Sequence, residues 1–372
     1  MNIAFYAPLK SPDHPNPSGD RLLGRLLMQA MQLAGHHVFK ASSLRSLDRS
    51  GEHCNQQRIK KIAEKLAHRF IRKVQRGVVT RPDIWFTYHI YHKAPDWIGP
   101  YVSEKLAIPY VIAEASVSPK QQNGSWSNGH QQAVTCIEHA DAMVALNQRD
   151  IECARPYLAP TAKFLALPPY LDTQRFHLKQ TAKGTTKPTS HIKILAVAMM
   201  RPGDKQQSWQ FLSKVLATLK THNWEFHSIG SGKCENEIVN SLQIAAGDKH
   251  FHHGAIQGQK LVDLVNQCDL FAWPAMNEAL GMALLEAQAC GLPVLAGRNG
   301  GVANVVQHGT TGLLCSTHSV EQFSNNLDYL LERPAVIGRM GRDARDWVIQ
   351  NRRIESAANK LNQLVGTLCA KS

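Results

Sequence analysis

The stretch Pro274–Val294, PAMNEALGMALLEAQACGLPV, carries two carboxylates eight residues apart, Glu278 and Glu286, with Gly281 between them. The apolar run ending at Trp273 reads as a strand, the residues after it as a loop, and Gly281–Cys290 as a helix. Eight helical residues span roughly 12 Å. That is too far for the carboxylate pair of a retaining glycosidase, which needs about 5 Å. The spacing suits the two ends of one extended ligand. Backbone N–H groups around Leu280, Gly281 and Met282 would point out of the helix N-terminus, an anion site favoured by the helix dipole. A capped amphipathic helix with two solvated glutamates fits the same residues, because charged helix residues mostly lie at the surface.

Other residues of the right chemical type follow strand-like runs. Arg201 and Lys205 come just after the run Ile192–Ala198. An Arg can hold phosphate oxygens through two donors and a Lys adds a point charge; two exposed loop cations fit the same residues. Gly230-Ser231-Gly232 ends the run Glu225–Ile229, where glycine would let backbone approach a ligand or simply make a turn. Ser18 and Gly19 open the first helix, and Ser18 has the hydroxyl of an N-cap. His89 follows the run Ile84–Tyr88, and Glu114 follows Tyr110–Ala113. Both are candidates to face a ligand, although a lone His after a strand is often structural.

These positions share a pattern of strand, loop and helix, repeated twice. In the first half the strands expected are Asn2–Ala7, His37–Lys40, Ile84–Tyr88, Tyr110–Ala113, Ala142–Leu146 and Lys163–Ala166, with a helix near Asp20–Ala34. Its apolar stripe is Leu22, Leu23, Leu26, Leu27, Ala30 and Leu33. Residues 177–191 are polar and rich in breakers, and read as a linker or surface loop. The second half runs strand Ile192–Ala198, helix Gln207–Leu219, strand Glu225–Ile229, helix Leu261–Gln267, strand Leu270–Trp273, helix Gly281–Cys290 and strand Pro293–Ala296. Alternation of this kind marks doubly wound parallel sheets, in which ligands bind beyond the carboxyl ends of the strands.

The stretch from Pro274 resembles the E-x7-E motif of the family 4 retaining glycosyltransferases of the GT-B superfamily (glycosyl transferases group 1). The match is at Pro274, Glu278, Gly281, Glu286, Ala287, Gly291, Pro293 and Val294, and continues through Gly300-Gly301, Val305-Val306, Gly309 and Gly312-Leu313. Arg201 and Lys205 resemble the family's diphosphate-binding pair, Gly230–Gly232 its Gly-x-Gly near the nucleotide base, and Ser18-Gly19 its Gly-rich loop on the donor or acceptor. The first half departs from the family. Where members often have a His near the transferred sugar, this chain reads Ala113-Glu114-Ala115-Ser116. Pro168-Pro169-Tyr170-Leu171-Asp172 replaces the usual hinge turn.

The resemblance implies an α/β fold of GT-B type, two Rossmann-like doubly wound parallel-sheet domains facing across a cleft. The expected division is 1–175 on the acceptor side, 176–350 on the donor side, and a last helix in 351–372 crossing back to the first domain. It implies transfer of a sugar from a nucleoside-diphosphate sugar to a glycan or lipid-linked acceptor in cell-envelope polysaccharide, with configuration retained. Glu278, Arg201, Lys205 and His89 are the catalytic candidates. Gly19, Gly230, Leu280, Gly281, Met282 and Glu286 are the donor-binding ones. No cofactor is expected. No two Asp are two residues apart, so the Asp-x-Asp metal pair of other transferases is missing, and Arg201, Lys205 and the helix dipole would stabilise the leaving group. Sugar-nucleotide hydrolases and epimerases on the same fold are the rival enzymes. A non-catalytic membrane or nucleic-acid binder is the rival of another class.

Bulk composition is compatible with all three. The 372 residues exceed one ordinary domain, and 43% hydrophobic with 19% charged residues excludes a disordered chain. Lys and Arg outnumber Asp and Glu by 13. Residues 58–81 hold nine Lys or Arg against one acid, Glu64, and so contribute +8. Ile59, Ile62, Leu66, Phe70 and Val74 recur there at helical spacing, which predicts a basic amphipathic helix suited to an anionic membrane surface or a solvated face. Nucleic acid ranks lower, because no zinc-finger, RNP-like or helix-turn-helix pattern is present. No apolar run is long enough to cross a bilayer, the first residues lack a signal-peptide pattern, and the eight Cys form no CxxC pair. Reduced thiols and a cytoplasmic location, with peripheral membrane contact, are the expectation.

Overall fold

The computed structural model describes residues 1–16, 18–176, 191–317 and 319–370. The linker expected at 177–191 therefore lies, save for His191, outside the described residues. Two compact units are formed, Met1–Pro168 with Ile354–Ser372, and Pro169–Arg353. The division falls at Pro168–Pro169, ahead of the expected residue 175.

The first unit holds six parallel strands: β1 (Asn2–Tyr6), β2 (His37–Lys40), β3 (Ile84–Ile90), β4 (Tyr110–Ala115), β5 (Ala142–Ala145) and β6 (Lys163–Ala166). Their order is β2-β1-β3-β4-β5-β6. β1, β3, β4 and β5 are buried along nearly their whole length, as strands covered on both faces must be. The first helix, Gly19–Leu33, is capped by the Ser18 hydroxyl, which accepts the Arg21 N–H at 3.3 Å. It buries Leu23, Leu26, Leu27, Ala30 and Met31, whereas Leu33 is 56% exposed, so the stripe runs through Met31 instead. The last helix, Ile354–Cys369, packs on this first helix within the same unit.

The basic segment forms the helix His53–Gln75, and Arg76–Arg81 lie beyond its end. The packed face is Ile59, Ala63, Ala67, Phe70 and Ile71, while Ile62 is 43% exposed. Of the expected stripe, Ile62 alone is turned outward. Leu66 and Val74 pack, part-buried, against the same core, with Ala63 and Ala67 filling the positions between them.

The second unit holds β7 (Ile192–Val197), β8 (Trp224–Ile229), β9 (His250–His252), β10 (Leu270–Trp273), β11 (Val294–Gly297) and β12 (Gly312–Cys315). They are parallel, in the order β12-β11-β10-β7-β8-β9. In each sheet the first strand sits between two later ones, so connections leave in opposite directions beyond its end. Such switch points, β1/β3 in one unit and β7/β10 in the other, are where open α/β sheets bind ligands.

The β8–β9 edge carries a histidine cluster. The rings of His227 and His253 meet at 2.9 Å, and the Ser228 hydroxyl lies 2.8 Å from His250 and 2.9 Å from His252. Glu225 and Glu235 flank it, 3.5 Å from His227 and 3.3 Å from His252. Burial, then the charges of His252, His227 and His253, push His250 down to about 4. An unfolded His takes a proton near pH 6.5 and this folded one does not, so stability is lost as pH falls from about 6.5 towards 4. His250 alone should contribute on the order of 3 kcal/mol of that loss. Thermal melts at pH 7 and pH 5 should show a drop in Tm that is smaller in His250→Phe; equal drops would exclude His250 as a cause.

Candidate active site

At the β7/β10 switch point, Lys205 stands in the first turn of the helix Asp204–Ala217 and Glu278 in the loop after β10. Lys205 Nζ and Glu278 Oε2 pair at 2.5 Å, both largely buried, with the ammonium 5.6 Å from the Trp273 ring centroid. Trp209 and Trp273 pack edge to face beneath them at 4.9 Å, 0% and 2% exposed. A pair this enclosed is screened less than a surface pair. Sequence reading places Lys205 on a diphosphate and Glu278 on a sugar; the fold brings both groups into contact.

The Glu278 loop is tightly built. Ala275, Asn277 and Gly281 all have left-handed backbones, φ 57°, 53° and 68°. Strain of this kind gathers at ligand-binding loops. The Met276 N–H donates to the Ser208 hydroxyl at 3.2 Å, and the Gly301 N–H to the Glu278 carbonyl at 3.0 Å. A Cβ at Gly300 or Gly301 would collide with the carbonyls of Glu278 or Ala279, which is why the motif needs two glycines there. Gly281 caps the helix Met282–Ala289, whose first-turn N–H groups have no intrahelical acceptor.

Arg201 is exposed on the loop after β7. That loop is sewn to Gly230–Gly232 by the Met200 N–H to the Ser231 carbonyl, 2.9 Å, and the Cys234 N–H to the Met200 carbonyl, 2.9 Å. A Cβ at Gly230 or Gly232 would strike the Ala198 or Met200 carbonyl. The glycines are thus required by the loop that carries Arg201. Glu286, on the helix, is half-buried and borders a small apolar cavity lined by Phe176, Leu261, Val265 and Phe271. Burial pushes its carboxyl up to about 7, against the pull of Arg175. It is not a solvated surface glutamate.

His89 and Gly19 belong to the other unit, at its β1/β3 switch point. His89 Nδ1 lies 3.3 Å from Asp20 Oδ1 and 3.5 Å from Glu114 Oε2. His89 and Glu114 both have left-handed backbones, φ 61° and 58°, at the ends of adjacent strands. Glu114 is 6% exposed, and burial raises its carboxyl, with His89 opposing. Burial also pushes Asp20 upward, but the hydrogen bond and charge of His89, with the charge of Lys10 and a backbone hydrogen bond, outweigh it and hold Asp20 below the usual range. Nothing would obstruct a side chain at Gly19 within 4 Å. Sequence reading missed Asp20 and Arg175. Asp20, next to Gly19 at the helix start, could have been found from its place in the first turn.

Among the described residues, no cluster of His, Cys, Asp or Glu is placed to hold a metal ion, and no helix is long and apolar enough to cross a membrane.

Comparisons with known proteins bear on the family and the fold. Residues 183–364 match the model of the glycosyl transferases group 1 family. The D-inositol 3-phosphate glycosyltransferase of Arthrobacter sp. (strain FB24) is 38% identical over 108 residues, 28% of this chain and 26% of that protein. Its counterpart in Gordonia bronchialis is 41% identical over 86 residues, 23% and 19%. The chain thus aligns with about a quarter or less of the length of these relatives. Two solved structures share the fold over essentially the whole chain. Sucrose-phosphate synthase from Thermosynechococcus elongatus has a TM-score of 0.77 at 18% identity, covering 100% of both chains. Anabaena HepE in complex with UDP has 0.73 at 14%, covering 99% of this chain and 100% of that one. Over residues 183–364 the chain matches the glycosyl transferases group 1 family, and its two six-stranded parallel sheets have the GT-B fold.

Proposed function

We propose that this chain is a retaining glycosyltransferase that moves a hexosyl group from a nucleoside-diphosphate sugar to a glycan or lipid-linked acceptor, without a metal. The observation that carries this is the Lys205–Glu278 pair at the β7/β10 switch point, beside Arg201 and a helix N-terminus. Arg201, Lys205 and the N–H groups of Gly281 and Met282 hold the diphosphate and take the charge that develops on it. Glu278 and the Leu280–Met282 backbone orient the sugar, and Glu286 accepts the ribose hydroxyls. The bond from the anomeric carbon to the phosphate oxygen breaks, and its electron pair stays on the phosphate. The acceptor oxygen bonds to that carbon on the same face, and its proton passes to the leaving phosphate. No protein nucleophile is used. In the first unit, His89 with Asp20 and Glu114 is assigned to the acceptor side.

Support comes from the relatives, which are glycosyltransferases by name, and from HepE, crystallised with UDP and with UDP-glucose. Thermal shifts with UDP-, GDP- and ADP-sugars test the donor site, and product analysis tests transfer. Stabilisation by none of them would overturn the reading. Donor turnover that ignores added acceptor would favour a hydrolase or epimerase. The helix His53–Gln75 exposes Arg58, Lys61, Lys65, Arg69 and Arg72 with Ile62, which supports peripheral attachment to an anionic membrane.

Glu286 makes donor binding depend on pH. An ionised carboxylate accepts from both ribose hydroxyls, and the protonated acid does so less well. With a pKa near 7, donor affinity should rise from pH 6 to pH 8, by at most about tenfold. A sugar nucleotide is the right probe, since its diphosphate diester does not titrate there. The rise should vanish in Glu286→Gln; a slope that survives the substitution belongs to another group.

A further inference from the structure

β3 runs directly into the turn Tyr91–Ala94, closed by the Ala94 N–H to the Tyr91 carbonyl at 2.9 Å. Four aromatic rings form a row along it. His89 lies 5.7 Å from Tyr91, Tyr91 5.2 Å from His92, and His92 5.9 Å from Trp126. All four are only part-buried. The Lys93 ammonium sits 4.2 Å over the Trp126 ring, a cation–π arrangement. Asp20 and the exposed Arg49 and Arg45 are all near enough for their charges to act on the Tyr91 hydroxyl, Asp20 most strongly.

The row is held rigid from below. The Lys93 carbonyl accepts the Asp48 N–H at 2.8 Å, and the Asp48 carbonyl accepts Trp126 Nε1–H at 3.2 Å. The Asp48 carboxylate, 3% exposed, accepts from Ser50, Gly51 and Asn55. Gln56 donates to the Ser125 carbonyl and accepts the Gly129 N–H. Gly129 comes so close to the His92 carbonyl that a Cβ would collide with it. Part-exposed rings on so firmly fixed a turn form a pre-organised surface, which lowers the ordering cost of binding.

We infer that this row is the acceptor subsite, and that it takes an oligosaccharide carrying an acidic group. The inference rests on the glycosyltransferase reading and names its acceptor class. Aromatic faces stack on the C–H faces of sugar rings. Lys93, over Trp126 at one end of the row, is the cation for a carboxylate, sulfate or phosphate, and Arg45 and Arg49 add positive charge near Tyr91. His89, Asp20 and Glu114 form the opposite, acidic end, which accepts from sugar hydroxyls. This polarity orients the acceptor, with hydroxyls towards His89 and the anion towards Lys93. A single-stranded nucleic acid also stacks and is anionic. Its continuous phosphates would meet the Asp20 and Glu114 carboxylates, so the saccharide is favoured.

The test is calorimetric titration of the full chain with uronate, sulfated and phosphorylated tetrasaccharides, maltotetraose and an oligouridylate. At least one acidic saccharide should bind, weaken about tenfold between low and moderate salt, and weaken about tenfold or more in Tyr91→Ala and in Lys93→Glu. Maltotetraose should bind far more weakly. The inference is overturned if no acidic saccharide binds, if the neutral one binds as well, if both variants bind like the parent, or if the oligouridylate binds tightest. Thermal shift by sugar nucleotides, run on the same variants, separates the two readings. If it persists while saccharides fail, only the acceptor assignment falls; if it too is absent, the donor reading falls with it.

Discussion

Lys205→Ala should lower turnover by about 10³-fold, about 4 kcal/mol of transition-state stabilisation, with little change in Tm. Two effects act in one direction. The variant removes a cation from the place where the leaving diphosphate gains charge. It also strips Glu278 of its 2.5 Å partner and leaves a part-buried carboxylate facing that diphosphate. Glu278→Gln should behave differently. Lys205 would keep its charge without a competing carboxylate, so donor affinity should hold or improve while turnover falls. Arg201→Ala should share the direction of Lys205→Ala, through the diphosphate alone. Steady-state kinetics with the donor that gives the largest thermal shift would measure all three. If Lys205→Ala kept turnover within tenfold of the parent, the proposed diphosphate role would be lost. If Glu278→Gln weakened donor binding as much as Lys205→Ala, the pair would act as one structural unit.

Much of this site is written locally in the chain. Glu278, Gly281 and Glu286 lie on one strand–loop–helix segment, and such short-range order is what periodicity and turn chemistry report. The Lys205–Glu278 contact is of another kind. Its members are 73 residues apart, and only the neighbouring of β7 and β10 brings them together. The glycines at 230 and 232 show the same limit: their requirement comes from the loop after β7, not from a ligand seen in the pattern. Tertiary context also hid β9, because His250-Phe251-His252 has too few apolar residues to read as a strand until Ser228 and the other histidines pair with it. The basic helix was legible as a helix, and its packed face in part: Ile59, Leu66, Phe70 and Val74 face the core, but Ile62 does not. Ala63 and Ala67 carry little hydrophobic signal, yet both are fully buried on that face. Glu114 could be picked out after its strand, but its partnership with His89 and Asp20 depends on two left-handed backbones that residue type does not announce.

Asp96→Ala should cost about 3–5 kcal/mol of folding stability, the largest single loss expected in the first unit. Asp96 is 0% exposed. Its Oδ1 accepts the N–H groups of Ile98 and Gly99 at 2.7 and 2.8 Å, capping the helix Gly99–Leu106. Its Oδ2 accepts the hydroxyls of Thr87 at 2.6 Å and Tyr110 at 3.1 Å. Burial raises the carboxyl above the usual range even against these donors. Alanine would leave four buried donors short of a partner, each costing roughly 1–3 kcal/mol where nothing replaces it. Asp96→Asn should cost less, because its carbonyl can still accept the two helix N–H groups and the hydroxyls of Thr87 and Tyr110 can rotate. Urea melts would give both values, and an alanine variant within 1 kcal/mol of the parent would show that the network does not hold this unit together. The same network reaches the chemistry. Thr87 and His89 share β3, and Tyr110 and Glu114 share β4, so Asp96 ties together the two strands whose ends bring His89 to Glu114. A folded Asp96→Asn variant should therefore lose acceptor-dependent rate while keeping the donor thermal shift, since the donor groups stand in the other unit.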